Sequence, residues 1–224
     1  MELNDKTLAV LKNYATINPN VVINEGNVLK TISEAKNVLS SAELDDTFPK
    51  TFGIYDLNEF LNVLSLVDSP NLKFEDHYVL VSDGSGRTRI KYFYSDIDML
   101  TVPSKDIIMP EAEVSFSFDR ETLSRVKRAA SVLGHTELSV SVINNVLSLS
   151  VVDQNDKTSN VFSIDVDGTY KNENFNYVFN ISNLKMIDDD YRVDISSKLI
   201  SHFVNEQSGI QYWVALEKTS TYGE

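Results

Sequence analysis

Polar and apolar positions along the chain fall into four similar blocks: a short alternating run, a polar residue suited to capping a helix, and an apolar stripe at helical spacing. The clearest block is residues 51–67, TFGIYDLNEFLNVLSLV. Its β-like start turns at Asp56, whose carboxylate can accept from the first free N–H groups of a helix, and Tyr55 and Phe60 stand at the spacing of a hydrophobic staple. Phe60, Val63, Leu64 and Val67 then form one helical face. Asn4, Asp119 and Asn180 are the other candidate caps. Each of the four has an apolar residue before it (Leu3, Tyr55, Phe118, Phe179), four after it (Leu8, Phe60, Leu123, Leu184) and seven after it (Leu11, Val63, Val126, Ile187). Cap-to-cap spacings of 52, 63 and 61 residues describe one unit repeated four times: strand, helix, three strands.

Between the caps the strands are legible as β-branched or alternating runs broken by turn residues. VVIN, NVLKTIS and NVLSSAEL follow the first helix; NLKFED, YVLVSD and RTRIKYFYS follow the second, with residues 83–86, DGSG, as a hairpin connection. AEVSFSFD leads into the longest helix, RETLSRVKRAASVLG, which ends at Gly134. TELSVSVI, NVLSLSVVD and NVFSIDV come next, the first two joined by Asn144 and Asn145. FNYVFN enters a short helix, ISNLKMI, and YRVDISS, LISHFVNE and GIQYWVALE close the chain, leaving TSTYGE as a frayed tail. Residues 95–112, SDIDMLTVPSKDIIMPEA, hold two prolines and no period and are expected to be a linker. The expected fold is therefore α+β, with an N-terminal domain at 1–110 (including the linker at about 95–112) and a C-terminal domain at 111–224. Each domain is expected to hold two β-α-β-β-β units, with two helices covering one side of antiparallel sheets.

Composition narrows the chemistry. A chain of 224 residues, 42% hydrophobic and 24% charged, can bury two cores of ordinary soluble type. No apolar run reaches the roughly 18–20 residues of a membrane span, and MELNDKTL lacks the build of a signal peptide, so a cytoplasmic location is expected. The absence of cysteine removes disulfides, thiolate zinc sites and cysteine nucleophiles. His77, His135 and His202 fall in three different units, without metal-ligand or triad spacing. Asp188, Asp189 and Asp190 have the charge for a cation site, but a run between helix and strand is more often a solvated turn. The DGSG segment lies between strands and is a turn, not a phosphate loop. No cofactor, metal or catalytic constellation is expected, and no enzyme. The net charge of −13 is shared, ten Lys and Arg against sixteen Asp and Glu in residues 1–110 and ten against seventeen in 111–224. Neither half is a basic module, so any nucleic-acid contact must come from locally gathered positive charge.

YDLNEFLNVLSLV, together with LKNYATIN, NISNLKM and YWVALE, resembles the DNA sliding clamps of T-even-type bacteriophages, the phage counterparts of proliferating cell nuclear antigen. The resemblance is diffuse but runs the length of the chain. It implies two DNA-clamp-type domains per subunit, closing into a homotrimeric ring with sheets outside and helices inside. Such a ring encircles duplex DNA without reading it, tethers the replicative DNA polymerase as a processivity factor, and is put in place by an ATP-driven clamp loader in the cytoplasm of an infected bacterial host. In T-even relatives it also activates late transcription. On this resemblance the DNA-facing candidates are Arg120, Arg125, Lys127 and Arg128, opposite the apolar stripe Leu123, Val126, Ala130 and Leu133, with Lys6, Lys12 and Lys185 on the other helices. The helix from Asp56 to Val67 carries no Lys or Arg. The implied partner-peptide pocket maps to Ile107, Ile108 and Met109 in the linker and to Trp213, Val214 and Leu216 near the end. The edges that close the ring are not assignable from the sequence. Two other readings stay open: an acidic duplicated β-rich virion or scaffold protein without a DNA role and, last, an enzyme with an unrecognised site.

Overall fold

The structure, a computed structural model, describes residues 1–156 and 158–223, and its chain contacts divide into two compact units. The first comprises Met1–Asp106 with Ser208–Ile210, the second Ile107–Gln207 and the chain from Gln211 onward.

In the first unit α1 (Asp5–Ile17) starts where expected: Asn4 accepts from Thr7 N–H at 2.8 Å, and its own N–H donates to Asp46 at 2.9 Å. The helix buries Val10, Leu11, Tyr14 and Ile17, a stripe at helical spacing that packs on β3 (Val38–Phe48). That strand pairs antiparallel with β2 (Gly26–Ile32), and β1 (Val21–Ile23) pairs antiparallel with β4 (Phe52–Ile54). The second helix, α2 (Leu57–Ser65), is capped by Asp56, which accepts from Asn58 and Glu59 N–H at 2.9 and 3.2 Å. The expected staple is not made. Tyr55 is 61% exposed, and Phe60 instead sets its ring edge-on to Tyr92, centroids 5.1 Å apart. Tyr92 belongs to β7 (Arg89–Phe93), which with β5 (Asn71–Phe74) and β6 (Tyr78–Ser82) forms a three-stranded antiparallel sheet in the order β5-β6-β7. The DGSG segment joins β6 to β7 as a turn, with the Asp83 carboxylate accepting from Ser85, Arg87 and Thr88.

In the second unit β8 (Val114–Phe118) leads through the cap Asp119 into α3 (Arg120–Leu133). Gly134 ends it at φ 73°, the left-handed conformation that a side chain with Cβ strains to adopt. β9 (Glu137–Ile143) and β10 (Val146–Val152) form the hairpin expected at Asn144 and Asn145, both at positive φ (52° and 65°) as a type I′ turn requires. After them come β11 (Phe162–Asp165), β12 (Gly168–Tyr170), β13 (Phe175–Asn180), β14 (Tyr191–Ser196), β15 (Ile200–Asn205), β16 (Ile210–Ala215) and β17 (Thr221–Tyr222). One sheet runs β11-β10-β9-β13-β17, and another carries β12-β8-β14-β15-β16. Phe203 sits in the core between them, its ring 6.3 Å from Phe118, 6.0 Å from Phe179 and 6.4 Å from Tyr191.

The α+β architecture and antiparallel pairing are as expected, with three corrections. The expected fourth helix is not formed: Asn180 caps only a 3₁₀ turn, Ile181–Asn183, so among the described residues the second unit holds one α-helix and not two. Leu184 and Met186 are buried while Lys185 between them is not, an alternation of period two that favours extended chain, and so short a segment cannot meet the cost of helix nucleation. The tail is not frayed through Tyr222, because β17 pairs with Phe175 and Asn176 of β13 and Tyr222 stacks on Tyr177. β12 was not anticipated; its Gly168 lets the chain pass where a Cβ would stand 2.6 Å from the Ser115 carbonyl.

Candidate nucleic-acid interface and partner surfaces

The four basic side chains of α3 do not share one face. Lys127 leans to one flank and pairs with Asp188 at 2.7 Å. Arg125 leans to the other, its guanidinium 5.8 Å above the ring of Phe162 on β11. Arg128 lies between them, opposite the buried Leu123, Val126 and Ala130, and is exposed, as is Arg120 at the first position. On α1, Lys6 pairs with Asp45 at 2.9 Å, while Lys12 two turns on is exposed. Lys185 is half-buried in the extended chain after the 3₁₀ turn, so it stands on no helix. The exposed positions of α2 are Asn58, Glu59, Asn62 and Ser65, which present one acid and no base.

The acidic run at 188–190 has a structural occupation. Asp188 holds Lys127, and Asp190 accepts from the Arg120 N–H at 2.7 Å. With Asp119, which accepts from Thr122 N–H at 2.7 Å, it satisfies free donors in the first turn of α3 and complements the positive end of the helix dipole. The Thr122 backbone hydrogen bond is the first cause holding the Asp119 pKa below the usual carboxylate range. Among the described residues no group of three His, Cys, Asp or Glu side chains is placed to hold a metal ion. His135 bonds the Asn160 carbonyl at 2.7 Å, and His202 bonds Gln211 at 2.9 Å.

The partner-pocket candidates are split by strand alternation. Trp213 and Val214 are neighbours on β16 and therefore face opposite sides of the sheet. Val214 and Leu216 are buried in the second unit, and Leu216 donates its N–H to the Leu199 carbonyl at 3.0 Å. Trp213 lies against His202 and its buried indole N–H has no acceptor within the described residues. Burial, the leading cause, pushes the His202 pKa down, against the opposing pull of the Gln211 hydrogen bond and of Asp194. In the linker Ile107 and Met109 are half-buried and Ile108 is 90% exposed, an apolar side chain held in water.

One feature was missed by the sequence. A hollow of about 400 Å³ opens beside α3, lined by Arg125, Arg128, Ala129, Val132, Val161 and Phe162. Val132 is 78% exposed on the polar side of an otherwise amphipathic helix, and Val161 beside it is exposed as well. That single apolar residue out of phase with the core stripe was the available signal.

Comparison with known proteins gives a consistent result. A family model described as DNA polymerase processivity factor matches residues 4–95, and one described as the C-terminal part of the gp45 sliding clamp matches residues 115–218. A sliding clamp of Vibrio phage KVP40 is 31% identical over 222 residues, covering 97% of this chain and 99% of that protein. The sliding clamp of Enterobacteria phage T4 is 29% identical over 231 residues, covering 99% of each. Among solved structures, proliferating cell nuclear antigen from Thermococcus kodakaraensis superposes with a TM-score of 0.69 over 96% of this chain and 98% of that one, at 15% identity, a likeness of fold alone.

Proposed function

Because this chain belongs to the sliding-clamp family of DNA polymerase processivity factors, we propose that three copies close into a ring around duplex DNA and tether the replicative polymerase to its template. The family relationship along the whole chain carries this reading. The two domains are assigned to about 1–110 and 111–224, and the chain to the cytoplasm of the infected bacterium. It catalyses no reaction itself; an ATP-driven loader supplies the energy of ring opening. The phosphate contacts come first from Lys12, Arg120 and Arg128, whose heads are exposed, while Lys6 and Lys127 are partly neutralised by Asp45 and Asp188. Few and non-specific contacts suit a protein that must hold DNA and still slide. Partner peptides dock through Ile108 and the surface around Trp213, with Ile107 and Met109 beside them; Val214 and Leu216 support that surface from within. Late-transcription factors are assigned to the same docking surface.

Light scattering tests the ring: three subunits per particle are expected, and a stable monomer or dimer at micromolar concentration ends this reading. Replacement of Lys12, Arg120 and Arg128 by Ala tests the DNA contacts. Loader-dependent polymerase stimulation is lost while the trimer persists.

A further inference from the structure

The sheet β5-β6-β7 spends one face on the core. Tyr92 packs on Phe60 of α2, and Leu72, Val79 and Val81 are buried on the same side. Strand alternation turns Lys73, Tyr78, Leu80, Arg89, Lys91 and Phe93 to the other face, where Tyr78 stands opposite Phe93 and Leu80 opposite Lys91.

That outer face joins aromatic rings to positive charge. The rings of Tyr78 and Phe93 have centroids 5.5 Å apart, Phe93 is 64% exposed, and the Lys91 ammonium stands 4.7 Å from the centre of the Tyr78 ring. Lys73 pairs with Glu75 at 2.7 Å, whereas Arg89 and Lys91 are exposed and meet no carboxylate among the described residues. The repeat itself shows that the fold does not demand this composition. α3 is followed by its own three strands, β9, β10 and β11, with Phe162 turned toward the helix beneath Arg125. The face turned away from α3 carries Ser148, Ser150, Ser163 and Asp165, bonded to one another at 2.6 Å (Ser148–Asp165) and 2.8 Å (Ser150–Ser163). Among the described residues of those three strands it holds no ring and no cation.

Rings interleaved with cations on an antiparallel sheet suit an unpaired nucleic-acid strand, because nucleobases stack on the rings while phosphates meet the cations. A duplex keeps its base faces covered, and a flat sheet face has no element to enter a groove. An acidic peptide would answer Arg89 and Lys91 but gives Phe93 no stacking partner. Arg89 and Lys91 are two residues apart on one strand, about 6.8 Å, so they can serve successive phosphates of an extended chain. We propose that the face of β5-β6-β7 turned away from α2 binds single-stranded DNA, with nucleobases on Phe93 and Tyr78 and phosphates on Lys91 and Arg89. The choice of DNA rests on the family reading above, while the site lies within one subunit and asks nothing of ring closure. With so few contacts the affinity is low and falls with salt.

Anisotropy of a fluorescent thymidine oligonucleotide of about 16 nucleotides, titrated with the purified chain at about 50 mM salt, tests the site. Saturable binding is expected. Phe93→Ala, and Arg89→Glu together with Lys91→Glu, should each weaken it by about tenfold. Phe93→Trp keeps a stacking face and should retain binding, with its emission quenched by the oligonucleotide, which shows that the loss in Phe93→Ala is not a loss of folding. A wild-type chain that binds no oligonucleotide overturns the proposal, as does binding that all these variants leave unchanged. A polyglutamate peptide bound more tightly than the oligonucleotide, through Arg89 and Lys91 and without Phe93, overturns it in favour of an acidic partner. A chain that forms no trimer yet binds the oligonucleotide through these residues removes the ring and keeps the site.

Discussion

The imidazole of His202 lies flat on the indole of Trp213, ring centroids 4.6 Å apart and planes 8° from parallel. Burial, ahead of any charge nearby, holds the His202 pKa below its ordinary value of 6.5. The unfolded chain therefore takes up the proton first as pH falls, and the stabilisation from neutral His202 is complete above about 6.5 and lost below it as pH approaches the folded pKa. Thermal midpoints measured on either side of that value should fall on acidification, and less so in His202→Gln. Trp213 is the chain's one tryptophan, so its fluorescence should change over the same window. An emission spectrum that ignores acid until the whole protein unfolds would contradict the stacked arrangement.

Lys127 is held by Asp188 at 2.7 Å in an exposed pair. Such pairs contribute about 0–1 kcal/mol to stability, so Asp188→Asn should leave the unfolding midpoint nearly unchanged. It should free Lys127 for phosphate. Loader-dependent stimulation is then expected to survive to higher salt than in the wild type, each added contact steepening the logarithmic salt slope by about 0.9. Identical salt profiles would mean that Lys127 does not reach DNA.

Phe203 is 1% exposed among three other aromatic rings. Truncation to Ala leaves a cavity among these rings, and Phe203→Ala should cost about 3–5 kcal/mol in urea unfolding. Phe203→Leu should cost clearly less.

Asp119 and Asn180 occupy equivalent places in the repeat but cap unequal structures, a helix of 14 residues and a 3₁₀ turn of 3. Asp119→Ala should destabilise by about 1 kcal/mol, and Asn180→Ala by less. Equal losses would show that the helix behind Asp119 adds nothing to the value of its cap.

The elements most legible in the sequence are those specified by local chemistry. Asn4, Asp56, Asp119 and Asn180 all accept from backbone N–H groups as caps, and Gly134 and the Asn144–Asn145 pair take the conformations their positions require. What failed depended on contacts distant in sequence. Tyr55 stands at the right spacing for a staple, but Tyr92 supplies the partner for Phe60 from 32 residues away. The cap at Asn180 permits a helix without requiring one, and the burial of Leu184 and Met186 favours extended chain instead. The basic residues of α3 were legible as exposed, but their division between Asp188 and Phe162 was not, because neither partner lies on the helix.

The close pass of Gly168 against the Ser115 carbonyl makes β12 conditional on the absence of a side chain. Any residue with a Cβ at that position must push the strand off β8 or move β8 itself.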